Sequence, residues 1–287
     1  MDLAEQLKQY FGFSQFREGQ QDAIEHVLRG HSALAIFPTG SGKSLCYQLS
    51  ALNLPHLTLV VSPLLSLMHD QLAFLHEKGI TAASLDSSLS KEAYGQVLDD
   101  VRCGRTKILM ISVERFKNER FRHFIKQVAI SLLVVDEAHC ISEWGHNFRP
   151  DYLKLPHYMQ ALKIPQALLL TATAPAQVRA DMQRKFNICD EHVVKTGFYR
   201  SNLDISVEAI KPNDKDARLR EILTEDICPT IVYVTLQQTA ELVAQMLKAS
   251  GVHASAYHAG LSSDDRQMIQ SRFMKDELSV IVATIAF

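Results

Sequence analysis

Five cysteines, Cys46, Cys103, Cys140, Cys189 and Cys228, are scattered through 287 residues with no C-x-x-C pair and no regular spacing. That scatter excludes a disulfide framework, and on cysteine spacing no zinc site is expected within the chain. The thiols read as small buried side chains in a reducing compartment. No stretch approaches the roughly 20 apolar residues that a membrane-spanning helix needs, so no membrane partner is expected. Asp2, Glu5, Lys8, Arg17 and Glu18 interrupt the first apolar positions, which excludes a signal-peptide core and makes a soluble cytoplasmic protein the natural reading. There is no internal repeat and no low-complexity tract. Charge of one sign is lacking too: the balance is −2, so any basic track for a nucleic acid must be local.

What is present is apolar material in short runs. At 47% hydrophobic, the chain can fill two cores, since domains commonly take about 100–200 residues. Runs at 33–37, 57–61, 107–111, 132–135, 167–170, 231–234, 254–257 and 280–283 read as strands. Between them, Leu65, Met68, Leu72 and Leu75 follow helical spacing, as do Ala240, Val243 and Leu247; Met268, Arg272 and Phe273 share a further helix. Continuous apolar strands alternating with helices argue for parallel sheets and an α/β fold. The pattern weakens near Tyr199, where a domain boundary is placed, giving domains 1–199 and 200–287. Ile205–Ile210 reads as strand-like, and the polar stretch Lys211–Asp216 as a loop inside the second domain.

The first strand leads into Pro38-Thr39-Gly40-Ser41-Gly42-Lys43-Ser44 and an apolar helix, the context a phosphate-binding loop requires. Its backbone N–H groups can face phosphate oxygens, Lys43 is placed for the terminal phosphates and the Ser44 hydroxyl for Mg²⁺. Phe37 stands where the strict motif begins with glycine. A second run ends in Asp136-Glu137-Ala138-His139, a carboxylate pair at a strand's C-terminal end, where α/β folds place ligands. Asp136 can hold Mg²⁺ and Glu137 can orient the attacking water. Thr171-Ala172-Thr173 closes another strand, as a helix cap or as a hydroxyl relay.

These motifs, with Ser62-Pro63-Leu64, together resemble a superfamily 2 helicase built from RecA-like domains; two further segments make the chain similar to the RecQ family. The segment Phe11–Gln20 resembles RecQ motif 0, which implies that Gln20 reads the adenine edge while Phe13 and Arg17 flank the base. Without the family, Phe11, Phe13 and Phe16 read as helix-packing aromatics. The segment Ala138–Pro150 resembles the aromatic-rich loop of RecQ and holds the only tryptophan. Stacking on bases is worth roughly 1–3 kcal/mol per base and tolerates any sequence, which suits Trp144, Phe148 and Arg149 to a DNA track. The alternative for Trp144 is a core residue. Asn147 replaces the family's aspartate beside His146.

Ser62–Gln71 resembles motif Ia, which implies DNA phosphate contact by Ser62, and Ile111–Arg115 resembles the next DNA-side motif. In the second domain, Ile231–Thr235 is similar to motif IV and Tyr257–Leu261 to the following DNA motif, placing His258 on the same DNA face. Val282–Phe287 opens motif V. The resemblance implies an ATP- and Mg²⁺-dependent 3′-to-5′ helicase acting on single-stranded and duplex DNA, nucleoid-associated if bacterial, with ATP between the domains. Residues 1–199 would be the ATP-binding domain and 200–287 part of the second RecA-like domain, inactive without motif VI. An RNA helicase of the superfamily and a DNA-binding module without unwinding activity are the alternatives.

Overall fold

The computed structural model describes residues 2–63, 65–86, 89–145, 148–197, 202–225 and 228–285, with backbone alone for Leu65, Ser66, Thr224 and Glu225. The boundary expected at Tyr199 lies outside the described residues, as do Leu64, His146, Asn147 and the motif V residues Ala286 and Phe287. The chain divides into two compact units, Met1–Arg200 and Ser201–Phe287.

The first unit carries β1 (Ala33–Ile36), β2 (Leu57–Val61), β3 (Ala82–Leu85), β4 (Ile108–Ile111), β5 (Ile130–Val135), β6 (Ala167–Thr171) and β7 (Val193–Lys195). They form one sheet in the order β3-β4-β2-β5-β6-β1-β7, parallel throughout. Period-2 alternation splits each inner strand between two cores. Leu34, Ile36, Leu59, Val61, Leu133 and Val135 face one cluster. Ala33, Ala35, Val60, Leu132 and Val134 face the other. Helices cover both faces, which is why these strands read as unbroken apolar runs.

The second unit holds β8 (Thr230–Tyr233), β9 (Ala254–Tyr257) and β10 (Val280–Ala283), parallel, with β10 in the middle. Val280 and Val282 join one small core and Ile281 and Ala283 another.

Three expectations are corrected. Residues 205–210 form no strand: Ile205 and Val207 are 82% and 96% exposed, because an apolar rhythm without a partner edge leaves the ladder unformed. β3 and β7 were absent from the expected strands, since Ala82-Ala83-Ser84-Leu85 has little β-branched character and β7 is three residues long. Cys46 and Cys140 are buried, but Cys103, Cys189 and Cys228 are exposed.

Candidate active site

The C-terminal ends of β1, β2, β5 and β6 converge on one site. After β1 the chain turns through Phe37–Gly42 into helix Lys43–Asn53. Lys43 Nζ donates to the carbonyls of Phe37 and Pro38 at 3.1 and 3.3 Å, and Ser41 Oγ donates to the Pro38 carbonyl at 2.7 Å. Thr39, Gly40 and Ser44 complete the loop and the first turn of the helix. Gly42 has φ 79°, which demands glycine, and a Cβ there would lie 2.7 Å from Gln20 Nε2 and push that amide aside.

Gln20 is buried at the start of helix Gln20–Leu28. Its Nε2 donates to the carbonyls of Ser41 and Gly42, each at 3.0 Å, and its Oε1 accepts from the Arg17 backbone at 2.9 Å. The Arg17 guanidinium donates to the Gly40 carbonyl. Both amide hydrogens are therefore spent on the phosphate loop, and the remaining capacity is on Oε1. The residue expected to read adenine also bolts the loop to motif 0. Phe11 and Phe16 pack into the core while Phe13 is 49% exposed, so packing claims two of the aromatics and leaves Phe13 open.

Asp136 leaves β5 with its N–H on the Val61 carbonyl at 2.9 Å, continuing the ladder. Its Oδ2 accepts from Ser62 Oγ at 3.1 Å and its Oδ1 from the Glu137 N–H at 3.0 Å. Burial raises the Asp136 pKa and the Glu137 carboxylate adds to this, against the pull of Ser62, the Glu137 N–H and Lys43. Burial lowers the pKa of Lys43, while Glu137 and Asp136 raise it. Asp136 and Glu137 face Lys43 together in a desolvated place, where a divalent cation would add to the positive charge that balances them. The Ser44 hydroxyl and the remaining lone pairs of Asp136 are hard oxygen ligands of the kind Mg²⁺ takes.

Glu137 sits at φ 49°, a left-handed conformation costing an L-residue about 1–3 kcal/mol. It caps the turn Ala138–Ile141. Its Oε2 lies 3.2 Å from His139 Nδ1, which is also 3.0 Å from Thr171 Oγ1. Thr171 Oγ1 donates onward to the Thr173 carbonyl at 3.0 Å. Hydrogen bonding to Cys140 first, and to Glu137 second, pushes the His139 pKa up to about 9 against the opposing effect of burial. Gln71, within the motif Ia segment, accepts from Gln48 Nε2 at 2.8 Å and from the Tyr47 hydroxyl at 3.3 Å, tying that segment to the P-loop helix.

Beyond the turn, Trp144 is 68% exposed and Phe148 and Arg149 are half-buried, which rules out the core reading of the tryptophan. The loop is nevertheless held. Ser142 Oγ donates to Asp181 Oδ2 on helix Ala176–Phe186 at 2.8 Å, and the Arg149 N–H donates to the Cys140 carbonyl at 3.1 Å. A Cβ on Gly145 would lie 2.5 Å from the His139 carbonyl oxygen.

Two placements differ from expectation. Ser62, expected at DNA phosphates, is 3% exposed with its hydroxyl on Asp136; a buried carboxylate takes the nearest donor because charge-assisted bonds are the strong ones. His258, expected at the DNA, is buried in the second unit with Nε2 3.2 Å from Glu241 Oε1. Neither the Gln20 bolt nor the Ser142–Asp181 anchor was anticipated. Only the run of polar residues around each gave a signal, and the partner could not be read from it.

Residues 17–181 match the DEAD/DEAH box helicase family and residues 214–287 the helicase conserved C-terminal domain. The ATP-dependent DNA helicase RecQ of Pasteurella multocida (strain Pm70) is 40% identical over 98% of this chain and 44% of its own length. RecQ of Bacillus subtilis (strain 168) is 40% identical over 98% of this chain and 48% of its own. The chain thus spans about half the length of the curated relatives it matches. Among solved structures, the Mycobacterium smegmatis helicase Lhr bound to ssDNA and AMP-PNP superposes with TM-score 0.71 at 19% identity, covering 100% of this chain and 42% of that one. The Pyrococcus furiosus Hef helicase domain gives TM-score 0.64 at 15% identity, covering 99% and 88%. At such identities the two structures speak for the RecA-like fold alone. With a family match across more than half its residues and relatives at 40% identity over nearly all of them, the chain belongs to the DEAD/DEAH box helicases, in their RecQ family.

Proposed function

We propose that this chain is the motor core of a 3′-to-5′ DNA helicase that couples ATP hydrolysis to movement along single-stranded DNA and separation of duplex DNA. The observation that carries the reading is one continuous path: phosphate loop, carboxylate pair, His139–Thr171 contact, and an exposed Trp144 on the loop that begins at the carboxylates. Phe13, Arg17 and Gln20 take the adenine. Thr39, Gly40, Ser41, Gly42, Lys43 and Ser44 take the phosphates. Ser44 and Asp136 would hold Mg²⁺, which when bound neutralises phosphate charge. Glu137 orients and polarises the attacking water. Trp144, Phe148 and Arg149 meet the DNA, so a strand arriving there acts on the turn that carries Glu137.

Residues 1–199 serve as the ATP-binding domain and residues 200–287 as part of the second RecA-like domain. Residues 1–287 on their own are expected to bind ATP weakly and to hydrolyse it slowly, because an arginine finger is worth about 10³–10⁵ in rate and this polypeptide holds no motif VI. The test uses the full-length protein: ATPase stimulation by DNA and RNA strands of equal length, and unwinding of duplexes with a 3′ or a 5′ tail. Stronger stimulation by RNA sinks the DNA assignment, and unwinding from the 5′ tail sinks the polarity. Equal ATPase rates for residues 1–287 and the full-length protein would remove the need for motif VI.

A further inference from the structure

At the opposite end of β1 from the phosphate loop, three imidazoles come together that no helicase motif accounts for. His26 lies in the last turn of helix Gln20–Leu28. The chain then reverses at Gly30, with φ 86°, and the His31 N–H closes the turn on the His26 carbonyl at 3.0 Å. His31 stands two residues before the start of β1, and His192 immediately precedes β7, the strand that pairs with β1 in parallel from Leu34↔Val193. Sheet register sets His192 level with Ala33, and the turn just before it brings the His31 ring alongside across a wide gap in sequence. The His192 ring centroid lies 4.3 Å from that of His31, nearly parallel to it, and 4.9 Å from that of His26. One ring nitrogen from each of the three lies within 4.8 Å of the others, and Cys189 Sγ, Glu191 and His192 form a second such group sharing His192.

We propose that His26, His31 and His192 form a binding site for a borderline transition-metal ion of the Zn²⁺ type, with the exposed thiol of Cys189, which groups with His192 and Glu191 and not with the other two imidazoles, brought in as fourth donor on binding. A tetrahedral zinc ion with metal–nitrogen distances of about 2.0–2.1 Å needs ligand atoms roughly 3.4 Å apart. Rotation of the exposed His31 ring supplies the closure. Nitrogen with sulfur selects zinc, cobalt or nickel over magnesium or calcium. His26 and His31 are separated by four residues, within the H-x₃₋₅-H spacing that zinc sites use, and cysteine spacing alone could not reveal a site whose donors are mostly imidazoles. His31, Cys189 and His192 also line a cavity of about 410 Å³, which gives an ion its way in.

Such a site has nothing to do with phosphoryl transfer, since it sits at the N-terminal ends of the strands. Its effect is mechanical: an ion there ties helix Gln20–Leu28, the turn before β1 and the entry to the edge strand β7 into one knot. β7 has three residues and a single neighbour in the sheet, so it is the strand that gains most from being pinned.

The full-length protein, stripped with a chelator and returned to millimolar Mg²⁺ so that oxygen-ligand sites are taken, is titrated with ZnCl₂ by calorimetry and with CoCl₂ by absorption. Variants are compared with wild type by the zinc held per chain, so that sites elsewhere cancel. The expected result is one zinc per chain that is lost in His31→Ala and in His192→Ala, with affinity down at least about tenfold. Cobalt should give the intense visible bands of a tetrahedral ion with a thiolate charge-transfer band, the latter lost in Cys189→Ser. Melting of the first unit should rise by about 5–10 °C at zinc 100-fold above Kd. Because His31 is exposed, metal-free His31→Ala should melt as wild type does, which separates lost binding from lost folding. Zinc stoichiometry and affinity unchanged in His31→Ala overturn the site, as does cobalt with only the weak bands of octahedral coordination. A charge-transfer band that persists in Cys189→Ser overturns the part given to the thiol.

Discussion

Ser62 gives its hydroxyl hydrogen to Asp136 Oδ2 at 3.1 Å, joining the end of β2 to the carboxylate at the end of β5. The bond opposes the burial that raises the Asp136 pKa, so Ser62 helps to keep a buried carboxylate ionised and ready for a cation. Ser62→Ala should weaken the Mg²⁺ affinity of the full-length ATPase by about tenfold, in line with roughly 1.5–3 kcal/mol for a hydrogen bond to a charged group. It should also move the acid limb of the pH profile upward. A Mg²⁺ titration at several pH values reads both. Unchanged Mg²⁺ affinity with weakened DNA binding would return Ser62 to the DNA track.

Lys43 and Glu137 make a sharper pair. Lys43→Ala removes a cation that faces both carboxylates and should abolish nucleotide binding and turnover in the full-length protein, leaving the fold intact because the side chain is only partly buried. Glu137→Gln keeps the loop and Asp136, so ATP should still bind while turnover falls at least about a hundredfold, the scale of a positioned acid–base group. Nucleotide binding by fluorescence together with steady-state ATPase separates the two. Wild-type turnover in Glu137→Gln would take that residue out of the chemistry.

His139 links pH to stability. Its pKa is raised from 6.5 to about 9 in the folded chain, so the folded state binds this proton more tightly than the unfolded state does. The stabilisation is fully present below pH about 6.5 and is lost as pH rises through about 9. Melting temperatures of wild type and His139→Asn across that range should differ most at the acid end and converge at the alkaline end. A constant gap would mean that folding leaves the imidazole's pKa unshifted.

How legible the molecule was depends on whether a feature is local. Strands such as Leu57–Val61 and Val280–Ala283 are apolar because both faces are buried, and that shows in the residues themselves. The phosphate loop shows because its glycines and lysine are adjacent. β3 and β7 stay hidden because neighbouring strands, more than their own side chains, hold them in the sheet. The roles of Gln20, Ser62 and His258 were assigned by motif alone. Their hydrogen-bond or ion-pair partners are Ser41 and Gly42, Asp136, and Glu241, and for Ser62 and Gln20 in particular the partner lies far enough along the chain that only the fold can name it.

The aromatic loop offers the last and most discriminating prediction, because two adjacent residues should fail in different ways. Trp144 is 68% exposed, so Trp144→Ala should change stability by no more than about 0.5 kcal/mol. If its ring stacks on DNA, the same change costs roughly 1–3 kcal/mol per base, and DNA stimulation of the full-length ATPase should fall about tenfold or more while the basal rate holds. Gly145 is the opposite case. Alanine there places a methyl 2.5 Å from the His139 carbonyl oxygen, and backbone cannot yield that much without shifting the turn that carries Glu137 and His139. Gly145→Ala should therefore lower both the basal and the DNA-stimulated rates, and lower the melting temperature as well. Parallel assays of basal ATPase, DNA-stimulated ATPase and melting decide the matter. If Trp144→Ala loses basal rate and stability together, as Gly145→Ala is expected to, the tryptophan is a structural part of the loop and its contact with DNA is excluded as the reason for its exposure.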